Sequence, residues 1–262
     1  MKHLFPFSIS SFLILLLSAC TTTGFRDYYK PFYEETIFSD EAYLKEGEIP
    51  QVIMSSNLDS ELREIASNWH LCIGSTGFNG TAMETSEINA ALINLCKEKK
   101  AKIAVWTKAY TNTKNGVYSV PQTNYHTYRN AYGYTSSYTT TTYIPYSYSI
   151  DRYDFEAYLF ISIPSEYKNI FTPGFSIRDL EQYDRDTYRQ NTGCLINVVY
   201  KNTPAFFANL THGDIITAVN GTQIFTAEDF IKYKKNIAIG DTLELTIVRN
   251  GIEKKIKLQY KL

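Results

Sequence analysis

The stretch Pro204-Ala205-Phe206-Phe207-Ala208-Asn209-Leu210-Thr211-His212-Gly213-Asp214-Ile215-Ile216-Thr217-Ala218-Val219-Asn220-Gly221 decides the fold of the C-terminal part of the chain. Thr203 stands where a helix takes a capping hydroxyl, and Pro204 where a first helical turn tolerates proline. Gly213-Asp214 then makes a tight turn. Ile215, Ile216 and Val219 form a short apolar strand, and Asn220-Gly221 signals a hairpin turn. Upstream, Gly193-Cys194-Leu195-Ile196-Asn197-Val198-Val199 reads as a strand. Downstream come a helix over Thr226 to Asn236, the pair Gly240-Asp241, the alternating strand Leu243 to Arg249, an Asn250-Gly251 turn and a last strand through Leu258.

Taken together, these spaced positions resemble PDZ domains, specifically the circularly permuted bacterial kind found in HtrA-type proteases. The resemblance covers roughly residues 166–262. It implies a module that takes a protein C-terminus or an extended peptide as an added strand, beside a sheet edge and a helix. Main-chain hydrogen bonds would give affinity and side-chain pockets specificity. A nest of backbone N–H groups would receive the terminal carboxylate. In this chain the matching loop is Thr172-Pro173-Gly174-Phe175, with Ser176, Ile177 and Arg178 along the groove strand. Gly174 and Phe175 keep the family pattern. Pro173 departs from it, because proline has no N–H, so addition of an internal strand stands beside capture of a C-terminus. On the facing helix, capped by Thr226 with Asp229 three residues on, Phe230, Tyr233 and Ile237 share a core stripe. Ile231, Lys234 and Lys235 lie on other faces, and a lysine bordering the groove favours an acidic ligand. The expected peptide-binding set is Gly174, Phe175, Ser176, Ile177, Ile231 and Lys234.

The same resemblance raises the question of proteolysis. A serine protease brings a nucleophile, a base and an orienting acid together in space. HtrA proteases carry a Gly-Asn-Ser-Gly-Gly nucleophile loop, which this sequence lacks, as it lacks Gly-x-Ser-x-Gly and His-Glu-x-x-His. His70 begins a strand, His126 lies in a tyrosine-rich insertion, and His212 is a polar turn residue. The expectation is a non-catalytic scaffold or adaptor with no catalytic residue, metal site or cofactor.

At the other end, Lys2 and His3 precede the apolar run Leu4 to Leu17, and Leu17-Ser18-Ala19-Cys20 resembles the bacterial lipobox. That implies a signal peptide over residues 1–19 and acylation of Cys20, which would anchor the chain to a membrane. A plain signal peptide is the alternative. A spanning helix fits less well, because serines thin a run that is short for a bilayer. Thr21, where an Asp commonly signals inner-membrane retention in lipoproteins, leans towards the outer membrane, facing the periplasm. Residues 20–47 read as a tether, although Phe25, Tyr28, Tyr29, Phe32 and Tyr33 require part of it to pack on a domain.

Residues 48–165 read as a small α/β domain. Ile49 to Met54 is a strand. Ser56-Asn57-Leu58-Asp59 is a capping-box pattern ahead of Leu58, Leu62, Ile65, Ala66 and Trp69 at helical spacing. His70 to Gly74 is a strand and Ser75 to Gly80 a polar, glycine-rich turn without the lysine or spacing of a phosphate loop. Ile88, Ala91, Leu92, Leu95 and Cys96 mark a second helix with a basic end. Ala101 to Trp106 and Tyr153 to Ile163 complete the strands. The alternation calls for some parallel pairing. The whole is therefore α+β: a small α/β domain followed by a permuted PDZ-like β-barrel with two helices. This arrangement is similar to uncharacterised bacterial lipoproteins that join such a domain to a C-terminal PDZ module, a likeness that implies architecture and no chemistry.

Within that domain, the insertion at 111–152 is mostly Tyr, Thr, Ser and Asn. Tyr132, Tyr134, Ser136 and Tyr138 alternate, as do Thr139, Thr141 and Tyr143, which favours a long exposed hairpin. A low-complexity loop and an aromatic surface for glycan, peptidoglycan or protein are the other readings. The last would make this a structural or surface-interaction lipoprotein. With 26 basic against 27 acidic residues and no basic block, nucleic acid is not an expected partner. Cys72 and Cys96 have the option of pairing in an oxidising compartment. Burial of Cys72, Cys96 and Cys194 as small hydrophobes is the alternative.

Overall fold

The computed structural model describes residues 24–33, 38–132 and 135–261. The apolar leader, Cys20 and Tyr134 lie outside the described residues.

The chain forms two sheets. The first is built from α1 (Gly24–Asp27), β1 (Lys30–Pro31), β2 (Gln51–Met54), α2 (Leu58–Ser67), β3 (His70–Thr81), α3 (Thr85–Lys99), β4 (Ile103–Arg129) and β5 (Thr135–Ser162). Its strand order is β1-β3-β5-β4-β2. The β2–β4 pair is parallel, whereas β3 and β4 both run antiparallel to β5. Period-two alternation divides the sheet between two helical layers. Ala104, Trp106, Phe155, Ala157 and Leu159 meet Ile88, Leu92, Leu95 and Cys96 of α3, together with Phe25 of α1. On the opposite face, Val105 and Phe160 meet Ile65, Leu58 and Leu62 of α2. The α2 cap is Asn57, whose side chain accepts the Ser60 N–H at 3.2 Å, one residue later than the capping-box pattern places it. Asn and Ser are equivalent caps, so sequence alone does not choose between them.

Two expectations are corrected here. Ser75 to Gly80 is no turn: it runs through β3, paired with β5 from Ser75↔Tyr158 to Gly80↔Tyr153. Its glycine content has another cause at its start, where Lys30 and Pro31 of β1 pair with Ser75 and Gly74. A Cβ on Gly74 would run into the Tyr29 phenol and the Lys30 carbonyl, so glycine marks close approach of another backbone. Pairing of Cys72 with Cys96 is also excluded by the sheet. Both are free thiols, Cys72 on the α2 face and Cys96 on the α3 face. Burial pushes the thiol of Cys72 up to about 11 and those of Cys96 and Cys194 up to about 12, which keeps them protonated and unreactive.

Beyond the sheet, β4 and β5 continue as a two-stranded ribbon, paired from Asn112↔Arg152 to Arg129↔Thr135. The Tyr/Thr-rich stretch is thus a prolongation of two core strands.

The second sheet contains α4 (Ser165–Lys168), β6 (Phe175–Asp179), α5 (Gln182–Tyr188), β7 (Cys194–Val199), α6 (Pro204–Phe207), β8 (Ile215–Val219), β9 (Thr222–Gln223), α7 (Ala227–Lys234), β10 (Thr242–Arg249) and β11 (Ile252–Gln259). Its order is β11-β10-β8-β7-β6, with β9 on β8. Both hairpin signals are realised: Asn220 and Gly221 have φ of 46° and 82°, Asn250 and Gly251 53° and 75°, the left-handed pair that such turns require. Thr203 caps α6 by accepting the Phe206 N–H at 3.3 Å, and Thr226 caps α7 in a reciprocal box with Asp229. The expected barrel does not close: among the described residues β6 and β11 are edges. α7 lies along the flank of β6 with Phe230 against Phe175, ring centroids 5.6 Å apart. The turn and cap helices α4 and α6 join the two longer ones, α5 and α7.

Asp214 of the opening stretch is fully buried. It accepts Arg249 Nε at 2.5 Å, Arg249 Nη2 at 2.6 Å and the Thr211 N–H at 2.9 Å, so it clamps the turn after α6 onto β10. Removing one partner of a buried ion pair strands the other. Asp214→Ala is expected to cost about 3 kcal/mol, read as a lowered urea midpoint. An unchanged midpoint would show that the clamp contributes nothing to stability.

Candidate peptide-binding groove

The edge of β6 is oriented by its partners on the other side. The Tyr200 N–H donates to the Gly174 carbonyl at 2.8 Å, which makes these two a bonded pair. Antiparallel alternation then turns the N–H and C=O of Phe175 outward, away from β7. Beyond the register shift in this pair, Ile196 directs its N–H to the carbonyl of Asp214, the residue just before β8. Ile177, opposite Ile196, is therefore also turned outward. Two successive sets of main-chain donors and acceptors face an open edge.

Across from that edge stands α7. Between them lies a groove of about 520 Å³, within the usual size of ligand sites. Of the residues expected from sequence, Phe175, Ser176, Ile177, Ile231 and Lys234 line it. Gly174 sits in the turn that feeds β6 and not in the lining. Phe175 gives its backbone to the edge while its ring is buried. Ile231 is 50% exposed, an apolar side chain presented to whatever enters. Asn169, Ile170, Phe171 and Tyr260 also line the groove and were not legible in the sequence. The first three arrive on a single helical turn before the loop, and Tyr260 lies past the last strand, so no periodicity marks any of them.

At the N-terminal end of β6 the loop spends its donors internally. The Thr172 N–H donates to Asn169 at 3.2 Å and the Gly174 N–H to Phe171 at 2.6 Å, while Pro173 has none. From Thr172 to Phe175, only Phe175 keeps an N–H for the groove. Lys234 reaches this end from α7 and donates from Nζ to the Ile170 carbonyl at 2.6 Å. Burial holds its pKa below the ordinary lysine value.

The groove wall also leans on the first sheet. Phe171 packs on Tyr200 with centroids 4.8 Å apart, and Tyr200 stacks on Trp69 at 4.2 Å. The Lys201 N–H donates to the Ser67 carbonyl at 2.9 Å, and the Lys201 ammonium pairs with Glu64. The three described histidines are dispersed: His70 opens β3, His126 stacks on Tyr138 in the ribbon, and His212 bonds the Asn197 carbonyl at 2.8 Å. Among the described residues no cluster of three His, Cys, Asp or Glu is placed to hold a metal ion.

An open edge strand beside a helix-walled groove is the geometry that strand-adding receptors use. Residues 174–259 match the PDZ domain family, and the chain carries a PDZ domain there. It is similar to the serine protease Do-like HtrA of Bacillus subtilis (strain 168), at 41% identity over 101 residues, covering 34% of this chain and 22% of that protein. The chain thus spans about a fifth of that relative's length, 22%. Among solved structures, the HtrA-type protease AlgW with decapeptide aligns at 15% identity and a TM-score of 0.31, covering 38% of this chain and 36% of that one. The HtrA3 PDZ domain bound to a phage-derived ligand (FGRWV) aligns at 19% identity and a TM-score of 0.30, covering 34% of this chain and 82% of that one.

Gly174 has φ of 113°, and a Cβ there would overlap the side chain of Thr203. Gly174→Ala adds steric overlap to backbone strain. It is expected to destabilise by about 2 kcal/mol and to lower the thermal midpoint. An unchanged midpoint would mean that the loop relaxes freely, and that the groove end is not fixed by this contact.

Proposed function

We propose that this chain is a non-catalytic, lipid-anchored protein of the bacterial envelope. Its PDZ domain binds extended protein segments or C-termini, as a scaffold or adaptor. The observation that carries the reading is the open edge of β6, with Phe175 and Ile177 turned outward into a groove faced by α7. An added strand would satisfy those main-chain groups, and Ile231 and Ile177 would contact its side chains. The non-catalytic part is supported by the missing nucleophile loops. The lipid anchor is supported by Leu17-Ser18-Ala19-Cys20 alone. Outer-membrane placement rests on Thr21.

A second reading assigns the function to the ribbon, with the PDZ domain serving only for packing. Its support is the register. Pairing of Gly116↔Tyr148, Tyr118↔Tyr146, Val120↔Ile144 and His126↔Tyr138 collects these side chains on one face, where Tyr118 and Tyr146 stack at 5.8 Å. Ser119, Thr123, Thr127, Ser137 and Thr141 fall on the other, together with Val117, Tyr125 and Tyr143. From Asn115 to Ile150 the only Asp, Glu, Lys or Arg is Arg129. Such a face suits an uncharged glycan or protein surface.

An array of synthetic pentapeptides, tested on the full chain and on a chain lacking residues 113–150, separates the readings. The first expects micromolar binding by both forms. Absence of binding by both, with loss of co-sedimentation on peptidoglycan only in the shortened form, would replace it with the second. For the anchor, cells fed an alkyne-tagged fatty acid are expected to label the wild-type chain and not Cys20→Ser, which should leave the membrane fraction. Equal labelling of the two would remove Cys20 as the lipid site.

A further inference from the structure

The loop end of the groove keeps one free amide, that of Phe175, and holds a cation beside it. We propose that Lys234 is the carboxylate receptor of this PDZ domain, taking the C-terminal carboxylate of a bound peptide together with the Phe175 N–H. The proposal rests on the peptide-binding reading above and names the chemical group that the groove selects.

Direction comes first. A strand added antiparallel to β6 ends beside the start of β6, where Phe175 follows the Thr172–Gly174 loop. A ligand C-terminus therefore arrives at the loop. There the Thr172 and Gly174 N–H groups are already spent on Asn169 and Phe171, and Pro173 has none. One amide, that of Phe175, is not enough to neutralise a carboxylate drawn out of water.

Lys234 supplies what is missing. Its Nζ lies 2.6 Å from the carbonyl of Ile170, in the turn that leads into the same loop. The ammonium is partly buried, and that carbonyl is its one hydrogen-bond partner among the described residues. An ammonium has three donors, so two remain for an incoming group. The groove lining holds two lysines, Lys234 and Lys235, and no Asp or Glu. A partly buried cation without a counter-ion is unfavourable until an anion joins it. Burial lowers the Lys234 pKa with no carboxylate named among the causes, in line with a charge still waiting for its partner. Other lysines of the domain are occupied differently: Lys232 pairs with Glu228, and Lys255 and Lys257 with Glu244.

The test measures binding of pentapeptides as free acids, as C-terminal amides, and as amides ending in Glu, to the full-length protein and to its Lys234→Met and Lys234→Arg variants. Methionine keeps much of the stem and removes the charge. Wild type is expected to prefer the free acid over the amide by at least about ten-fold, the size of a charge-assisted hydrogen bond. Lys234→Met should lower free-acid affinity to the level of the amide and leave amide binding unchanged, while Lys234→Arg keeps part of the preference. Tight binding of the Glu-ending amide, lost in Lys234→Met, would assign the site to a side-chain carboxylate and overturn the C-terminal assignment. A free-acid preference that survives Lys234→Met would overturn the role of Lys234 alone and leave the PDZ reading intact. So would equal binding of acid and amide by wild type. A parallel loss of acid and amide in Lys234→Met would show a structural role only. Failure of every peptide on wild type would overturn the PDZ reading, and this proposal with it.

Discussion

Gly174 has no side chain, and Thr203 fills the place where one would stand. Much of the groove follows from that contact. It lets the Gly174 carbonyl receive the Tyr200 N–H at 2.8 Å while the Thr203 hydroxyl donates to the Tyr200 carbonyl at 2.6 Å. The Ala205 N–H closes on the Pro173 carbonyl at 3.1 Å. The loop before β6, the end of β7 and the start of α6 are thereby tied in one knot. Thr203 is both the cap of α6 and the group packed against Gly174, so the two functions share one side chain. The knot extends outward through the Tyr200 ring, which stacks on Trp69 of the first sheet. Such aromatic pairs add about 0.5–1.5 kcal/mol beyond their burial. The position of the groove wall is thus set by both halves of the molecule.

What the sequence disclosed and what it hid divide along a physical line. Asn220-Gly221, Asn250-Gly251, the Thr203 and Thr226 caps and the Gly213-Asp214 turn are local, and each was legible from residue type and offset. The core stripe of α7, with Phe230 buried and Tyr233 and Ile237 packed beside it, was equally legible from spacing. Gly174, Phe175, Ser176 and Ile177 came from the family pattern. Ser75 to Gly80 was misread because composition reports a turn and a close backbone approach in the same way. Only the arrival of β1 some forty residues earlier in the chain distinguishes them. The barrel failed to close for a similar reason: strand count is readable, whereas the docking of α7 on the flank of β6 is a tertiary outcome. Ile170 is 64% exposed and Tyr260 lies beyond a strand end, so neither advertises that it borders a groove.

The ribbon shows how a long pair of strands is kept from growing. Ser119↔Pro145 and Pro121↔Tyr143 lie two residues apart in register, hence in the same class of ladder position. A proline has no N–H to give, so each is tolerated where its nitrogen faces away from the partner strand. Both outer edges of the ribbon therefore lose a donor midway along, which obstructs edge-to-edge addition of another strand. The faces remain. Gly116 lies under the ring of Tyr148, where a Cβ would collide with it, and the ring lies across the strand pair in the manner by which aromatics cover strand glycines.

The same principle separates the two edges of the second sheet. β11 exposes Lys254, Lys255 and Lys257 along its length, and lysine on an edge strand opposes pairing with a further strand. β6 carries no such guard. Its one basic residue, Arg178, is turned to Asp184, with Nη2 2.9 Å from Oδ1, and that contact holds the Asp184 carboxyl below the usual carboxylate range. With the charge folded back onto α5, the outward N–H and C=O groups of Phe175 and Ile177 are left bare beside α7. An unguarded edge is a hazard for a soluble domain unless something occupies it. Here α7 faces the edge across a groove of about 520 Å³, and Lys234 stands beside the turn that leads into β6. One edge carries exposed lysines, and the other is open, faced by α7 and bordered by Lys234, the arrangement on which the proposed strand addition and carboxylate recognition rest.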